Sequence, residues 1–390
     1  MKNAAAPRRF APTALMLGNI VTGCSVLAPA GMLVELSDGL DISIRAAGLL
    51  ITFGAIMLCV GSPLTAWLTS RIERRTLLSV TLAVLALTNA ASAFAPDYTS
   101  LLVIRLAMLA VGALYTPQAA GTGALIVPAE KRGSTIAYIF LGWSLAAAIG
   151  LPLITFIAGR YGFRAAYGGI GLMGCVSFML LVWRLPGGLI GAPVDLKTWA
   201  ELSRNRTILL LLSITTLQMS GQFVVFTFIG PLLVKLTGAG PDAIGLVFAL
   251  YGIFGFIGIA IATRIVDSWG AYRTSVLFTV LMLAGVTGWA LSAGTYVLMA
   301  GSVAIWGLGF ASTNSMQQVR LVAAAPALAP ASVSLNTSVL YIGQAVGSAI
   351  GGALFARDWL HGAGYVAMTF VALALMTVFL ARPGRTAAAS

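Results

Sequence analysis

Few side chains in this sequence could do covalent or metal chemistry. It carries one histidine, His361, three cysteines (Cys24, Cys59 and Cys175) and 11 Asp and Glu among 390 residues. A hydrolytic or metal centre needs His, Cys or carboxylates gathered at ligand spacing. Here every acid (Glu35, Asp38, Asp41, Glu73, Asp97, Glu130, Asp195, Glu201, Asp242, Asp267, Asp358) falls at the end of an apolar run or between two runs. No catalytic constellation, no metal site and no cofactor is expected, and the chain does not read as an enzyme. The cysteines lie inside apolar runs, so no disulfide framework is expected. The 23 Lys and Arg give a net charge of +12, but they form short clusters without interleaved aromatics. Nucleic acid is therefore excluded as a partner. Arg105 is different, because it lies within an apolar run. An arginine inside a bilayer costs at least about 2.5–3.5 kcal/mol, so it should face the protein interior and have a partner.

The elements that must position these residues follow from composition. Hydrophobic residues make up 59% and charged ones 9% of the chain, where soluble domains carry about 25% charged residues. That excludes a soluble globular protein and a disordered one, and leaves a polytopic membrane protein. A bilayer-spanning helix needs about 20 apolar residues. Such runs occur at 13–35, 46–70, 76–95, 99–125, 134–158, 165–184, 207–234, 243–265, 273–293, 296–318, 332–355 and 363–381, which gives twelve spans. The first run is too long for a signal-peptide core and no small-residue cleavage site follows it, so it is read as span one. Lys and Arg number 17 on the side of both termini and five on the other. The positive-inside rule puts both termini in the cytoplasm. The basic stretch 186–206 divides the chain into an N-terminal bundle of six helices (1–185) and a C-terminal one (207–390). The halves are faintly similar at an offset of about 197 residues, with Gly112 opposite Gly309 and Gly150 opposite Gly347. Internal symmetry of this kind points to a transporter with its site at the midplane between the halves. Gly343, Gly347 and Gly351, at four-residue spacing, predict close helix contact.

Between spans two and three the chain reads Ala66-Trp-Leu-Thr-Ser70-Arg71-Ile-Glu73-Arg74-Arg75, and between spans eight and nine Thr263-Arg264-Ile-Val-Asp267-Ser268-Trp269-Gly270-Ala-Tyr-Arg273. Both stretches resemble the G-x-x-x-D-R-x-G-R-R loop motif of the major facilitator superfamily. Span five carries Gly142…Gly150-Leu151-Pro152, followed by Gly162-Phe163-Arg164. That pattern resembles the superfamily's drug:proton antiporters, and within them the arabinose and sugar efflux permeases. The resemblance extends from span one to span twelve. It implies an all-α fold of two pseudo-symmetric six-helix bundles, working by alternating access in a bacterial inner membrane.

The resemblance also assigns roles. Arg71, Arg74, Arg75 and Asp267 would latch the cytoplasmic side, and Gly150 and Pro152 would let span five bend. In the first motif copy Ser70 stands where Asp is usual, so the Asp267 latch, near Lys131 and Arg132, is expected to be the stronger. Spans one, four, seven and ten line the cavity in this superfamily, with help from five and eleven. The expected substrate-binding set is then Asn19, Thr22, Ser25, Arg105, Tyr115, Gln118, Trp143, Gln218, Gln222, Trp306, Asn314, Gln317, Tyr341 and Gln344. Amides and hydroxyls orient a neutral, hydrogen-bonding molecule, and aromatics give apolar contact area. Sugar-efflux relatives often carry a Glu inside span one, but Val26 stands at that place. If protons couple, Glu35 at the outer end of span one is the first candidate, with Arg105 as a prospective ion-pair partner. The function implied is export of a small neutral or weakly polar compound, sugar-like or drug-like, by proton antiport from a monomer in the lipid bilayer. An uptake symporter or uniporter of the same fold, or a receptor that transports nothing, are the alternatives.

Overall fold

The computed structural model describes residues 10–69, 71–128, 132–190, 204–325 and 329–382. Among the described residues every long regular element is a helix. This is what a bilayer demands, since a helix satisfies its own backbone groups where no water can. Eleven segments are long and apolar enough to cross a membrane. One of them, Tyr138–Arg184, has 47 residues, and straight it would run about 70 Å, twice the thickness of a bilayer. It reverses at Gly162 (φ 81, ψ 164), so it makes spans five and six and the total is twelve. Spans eight and nine join in the same way at Gly270 (φ 78, ψ 153), within the helix Pro241–Leu291. The sequence predicted several-residue loops at both joints. One glycine in backbone space closed to other residues does each turn instead.

Three predicted spans are broken. Span one is the helix Ala11–Gly31, which stops at Met32 (φ −143, ψ 35) before a short helix Leu33–Leu40. Its 21 residues measure about 31 Å, enough to cross the bilayer. Span seven is Arg206–Phe226, broken at Thr227–Phe228 before Ile229–Thr237. A proline stands near each break: Pro29 and Pro231 have no N–H for the carbonyls of Ser25 and Thr227 four residues earlier. Span four divides at Ala113–Leu114 into Tyr98–Gly112 and Tyr115–Leu125.

The two breaks lie toward the end of the bundle opposite the chain termini, called here the far end. There the halves meet. Span five touches span eight at Gly159–Pro241 and, deeper, at Ala148–Gly252, while Gly48 of span two faces Phe228 of span seven. Ser348 Oγ donates to the Gly48 carbonyl at 3.4 Å, and Arg160 lies 3.6 Å from Asp242 across the seam. Gly343, Gly347 and Gly351 of span eleven face the carbonyls of Thr216, Ser220 and Val224 of span seven, so closely that a Cβ at any of them would collide with backbone. The predicted close contact is formed.

Acids at helix ends act as caps. Glu73 accepts from Thr76 N at the start of span three, and Asp97 from Ser100 N at the start of span four. Each places negative charge on unpaired N–H groups of a first turn. Residues 191–203, most of the predicted linker, lie outside the described residues.

Candidate substrate site and its supports

Span one approaches span five at Gly142, which has no side chain to hold off Met16 and Asn19. Asn19 Nδ2 donates to the Ile139 carbonyl at 2.9 Å. Its Oδ1 accepts from Thr116 Oγ1 at 2.8 Å, and that hydroxyl accepts from Trp143 Nε1 at 3.0 Å. Asn19, Thr116 and Trp143 thus form one polar chain across spans one, four and five. Asn19 is fully buried, whereas Thr116 and Trp143 stay half-exposed. Past them, toward the termini, Pro117 and Gly121 of span four are exposed.

The C-terminal half presents aromatic rings. Tyr251 of span eight lies 4.9 Å from Phe226, 5.5 Å from Trp306 and 5.3 Å from Phe310, the last pair stacked. Trp306 Nε1 donates to Gln222 Oε1 at 3.3 Å, which leaves Gln222 Nε2 buried without a partner. Asn336 Nδ2 donates to Asn314 Oδ1 at 3.2 Å, and Asn336 Oδ1 accepts from Thr215 at 2.7 Å. Tyr341 and Gln344 of span eleven are buried near the middle of that span.

The predicted set is therefore gathered only in part. Asn19 and Trp143 meet through Thr116, Gln222 meets Trp306, and Asn314 meets Asn336. Most of the others bond within their own half, while Tyr341 of span eleven packs among residues of the N-terminal half. Thr22 and Ser25 donate to span one's own carbonyls at Gly18 and Val21. Tyr115 donates to the Leu15 carbonyl and Gln218 to Thr279. Gln317 reaches Ser275, and Gln118 accepts from Arg74. Thr116, Tyr251, Phe310 and Asn336 were absent from the sequence-derived set. A threonine or tyrosine in an apolar run gives no signal until the helices around it are placed.

Arg105 is 1% exposed and reaches no carboxylate. Its Nη1 donates to the Ser25 carbonyl at 2.9 Å, Nη2 to Val26 at 2.8 Å and Nε to Leu50 at 3.0 Å. The Ser25 carbonyl is the one that Pro29 deprives of its helical partner. The guanidinium thus stands in for a missing N–H and ties spans one and two to span four. Beside it Gly54 of span two leaves room for the Leu109 side chain of span four. This replaces the predicted Glu35–Arg105 ion pair, which is not formed: backbone oxygens take every nitrogen of the guanidinium.

Glu35, on the short helix beyond span one, is half-buried, with Oε1 beside Gly159 at the far-end seam. Burial raises its pKa, with a further push from the Asp38 charge. Toward the termini, Arg71 is exposed, Arg74 is buried against Gln118, and Arg75 Nη2 donates to the Val182 carbonyl at 2.6 Å. The side chains of Asp267, Ser70, Lys131 and Arg132, and so the expected latch, lie outside the described side chains. One buried cation went unpredicted as such: Arg320 of span ten, which donates to Ala381 at 2.7 Å and to Ser275 at 3.5 Å. Gly150 ends, and Pro152 follows, a feature the sequence did not disclose, a π-helical turn at Ala146–Gly150. Such turns recur at functional sites. This one sets the Ala148 backbone against Gly252 and Gly150 against Cys24 Sγ.

Twelve helices in two related halves, with proline-broken spans and amides and aromatics near the middle, make the layout of a secondary transporter. The chain belongs to the Major Facilitator Superfamily, whose family model matches residues 15–348 and 211–390. It is 29% identical over 368 residues to the Inner membrane transport protein YdhP of Escherichia coli (strain K12), covering 94% of each chain. It is 24% identical over 363 residues to a probable sugar efflux transporter of Mannheimia succiniciproducens, covering 90% of this chain and 88% of that one. Among solved structures it is similar to a D-xylose-proton symporter, with a TM-score of 0.78 at 16% identity, over 95% of this chain and 97% of that one. That likeness confirms the expected fold. The protein is a multi-pass membrane transporter.

Proposed function

We propose that this transporter exports a small neutral or weakly polar compound, sugar-like or drug-like, by alternating access and proton antiport. The observations that support the substrate class are the Asn19–Thr116–Trp143 chain in the N-terminal half and the Tyr251–Phe310 ring pair in the C-terminal half. They offer hydrogen bonds and stacking faces and no ionised side chain. Two relatives named as probable sugar efflux transporters support the direction. The rest of the predicted set (Thr22, Ser25, Arg105, Tyr115, Gln118, Gln218, Gln222, Trp306, Asn314, Gln317, Tyr341 and Gln344) supports or completes that site. The protein acts as a monomer, without covalent change to its cargo. It sits in the bacterial inner membrane with both termini cytoplasmic, so the contacts between the halves close the outer side and the cargo path opens inward. Arg71, Arg74, Arg75 and Asp267 gate that inner side, and span five bends at Gly150 and Pro152. Asp267→Asn should slow counterflow more than Ser70→Ala does.

Proton coupling rests on Glu35, whose burial beside the seam favours its neutral form. The test is efflux of labelled sugars and drugs from proteoliposomes under an imposed pH gradient, in wild type and Glu35→Gln. Gradient-driven efflux in wild type alone supports the reading. Equal responses reject Glu35 as the carrier. Counterflow that ignores the gradient makes the protein a facilitator.

A further inference from the structure

Spans two and eleven run antiparallel along one side of the seam. The bond from Ser348 Oγ to the Gly48 carbonyl fixes their register at the far end. One helical turn toward the termini brings Thr52 of span two level with Gln344 of span eleven, and a second brings Ala55 level with Tyr341. Residues four and seven apart share a helix face. Thr52 therefore stands on the seam face of span two with Gly48, and Gln344 and Tyr341 on that of span eleven with Ser348. Tyr341 packs among residues of the N-terminal half, as that placement requires. Neither stretch, 48–55 or 341–348, holds a charged residue, and Arg105 meets span two at Leu50 on its opposite side.

These three polar side chains are buried and unspent. Gln344 is 3% exposed, Thr52 7% and Tyr341 9%. Thr52 Oγ1 has no hydrogen-bond partner, and among the described residues none bonds to the Gln344 amide or the Tyr341 hydroxyl. Other hydroxyls in the spans donate to the carbonyl four residues back, as Thr22 and Thr81 do. For Thr52 that carbonyl belongs to Gly48. It already serves the helix and accepts from Ser348 across the seam, which fills its two lone pairs. The contact between the halves thus leaves the Thr52 hydroxyl free. A buried hydroxyl or amide without a partner is costly, and a ligand hydroxyl would satisfy it.

We propose that Thr52, Gln344 and Tyr341 form a hydroxyl-binding subsite at the closed end of the cargo path, and that the cargo is a neutral polyhydroxylated molecule of the saccharide class. This rests on the export function proposed above and chooses sugar over drug within it. Each of the three groups both donates and accepts, as each hydroxyl of a saccharide does. A cationic drug would find no counter-charge here, and an apolar one would leave all three groups unpaired. Buried polar groups of this kind reject a ligand without hydroxyls more strongly than an apolar pocket rejects a misfit. Thr52 belongs to one half and its two companions to the other, so a cargo bound to all three favours the state in which the halves are close.

The experiment is titration of the purified protein, followed by tryptophan fluorescence, with D-xylose, D-glucose, D-galactose, lactose and the cationic dye ethidium. At least one saccharide should bind wild type. Thr52→Val and Gln344→Leu should each weaken that saccharide about tenfold, the loss of one hydrogen bond, and Thr52→Ser should keep it. Without ligand both variants should melt no lower than wild type, because each removes a buried group that has no partner. Melting well below wild type in both would mark packing residues and overturn the proposal. So would the absence of saccharide binding to wild type, or equal saccharide affinity in wild type, Thr52→Val and Gln344→Leu. Counterflow of the same compounds in proteoliposomes separates the subsite from the export function. If wild type moves ethidium or a saccharide under either of those results, the subsite alone fails; if it moves none, the export function fails with it.

Discussion

Arg105→Met tests whether the buried guanidinium serves as a backbone partner for a proline-broken helix. The substitution removes three charge-assisted bonds, yet it strands only one acceptor. Val26 and Leu50 lie in continuous helix, where the N–H four residues on still serves their carbonyls. Ser25 has Pro29 at that position and keeps nothing. A buried carbonyl left unsatisfied costs about 1–3 kcal/mol. The rest of the loss is offset because the variant no longer buries a cation. The prediction is therefore a coupling. Pro29→Ala returns an N–H to Ser25, so Arg105→Met should cost about 1–2 kcal/mol less in that background than in wild type. Arg105→Lys should not rescue, since one ammonium cannot reach carbonyls on spans one and two in the guanidinium's fixed fork. The assay is denaturant unfolding of the four proteins of the cycle in detergent micelles, with counterflow as a second readout. Equal costs in both backgrounds, within about 0.5 kcal/mol, would refute the reasoning.

The far-end seam gives a second prediction. A Cβ on Gly252 would run into the backbone of Ala148 at the π-helical turn, so Gly252→Ala should part spans five and eight. Labelling of a cysteine placed at Asp242 by an impermeant maleimide should then speed up; an unchanged rate would show that the seam tolerates the methyl. A third prediction concerns acid. Because the Glu73 carboxyl is held below its ordinary value, its contribution to stability is present above the ordinary carboxylate range and disappears as pH falls through the depressed pKa. Glu73→Gln should flatten that acid limb in thermal unfolding at stepped pH, and an identical acid limb in the variant would refute this. Finally, reporter fusions at Arg206 and Arg385 should read cytoplasm and a fusion at Asp97 the outer side. An outer signal from Arg206 would overturn the orientation.

What could be read from the sequence is what depends on composition and local periodicity. Twelve runs of about 20 apolar residues admit few folds other than a helical bundle, because a bilayer forbids unpaired backbone. The glycine stripe at 343, 347 and 351 announced a helix contact, since close approach needs small residues at one helical face. Arg105 announced a buried partner, because an arginine in hydrocarbon is costly unless it is paired or snorkels to the interface. Tertiary structure alone decided who that partner is. Three carbonyls from two other spans converge on it, one of them freed by a proline 76 positions away in the chain. The same holds for the candidate site. Of the polar residues on spans one, four, seven and ten, some face the space between the halves and others bond within their own half. Helical period cannot separate the two when every face of a helix is apolar. Thr116 joins Asn19 to Trp143 only because three helices cross there, and the π-helical turn lies where span five meets spans one and eight at once. Sequence sets which groups must be satisfied, and packing chooses which neighbours satisfy them.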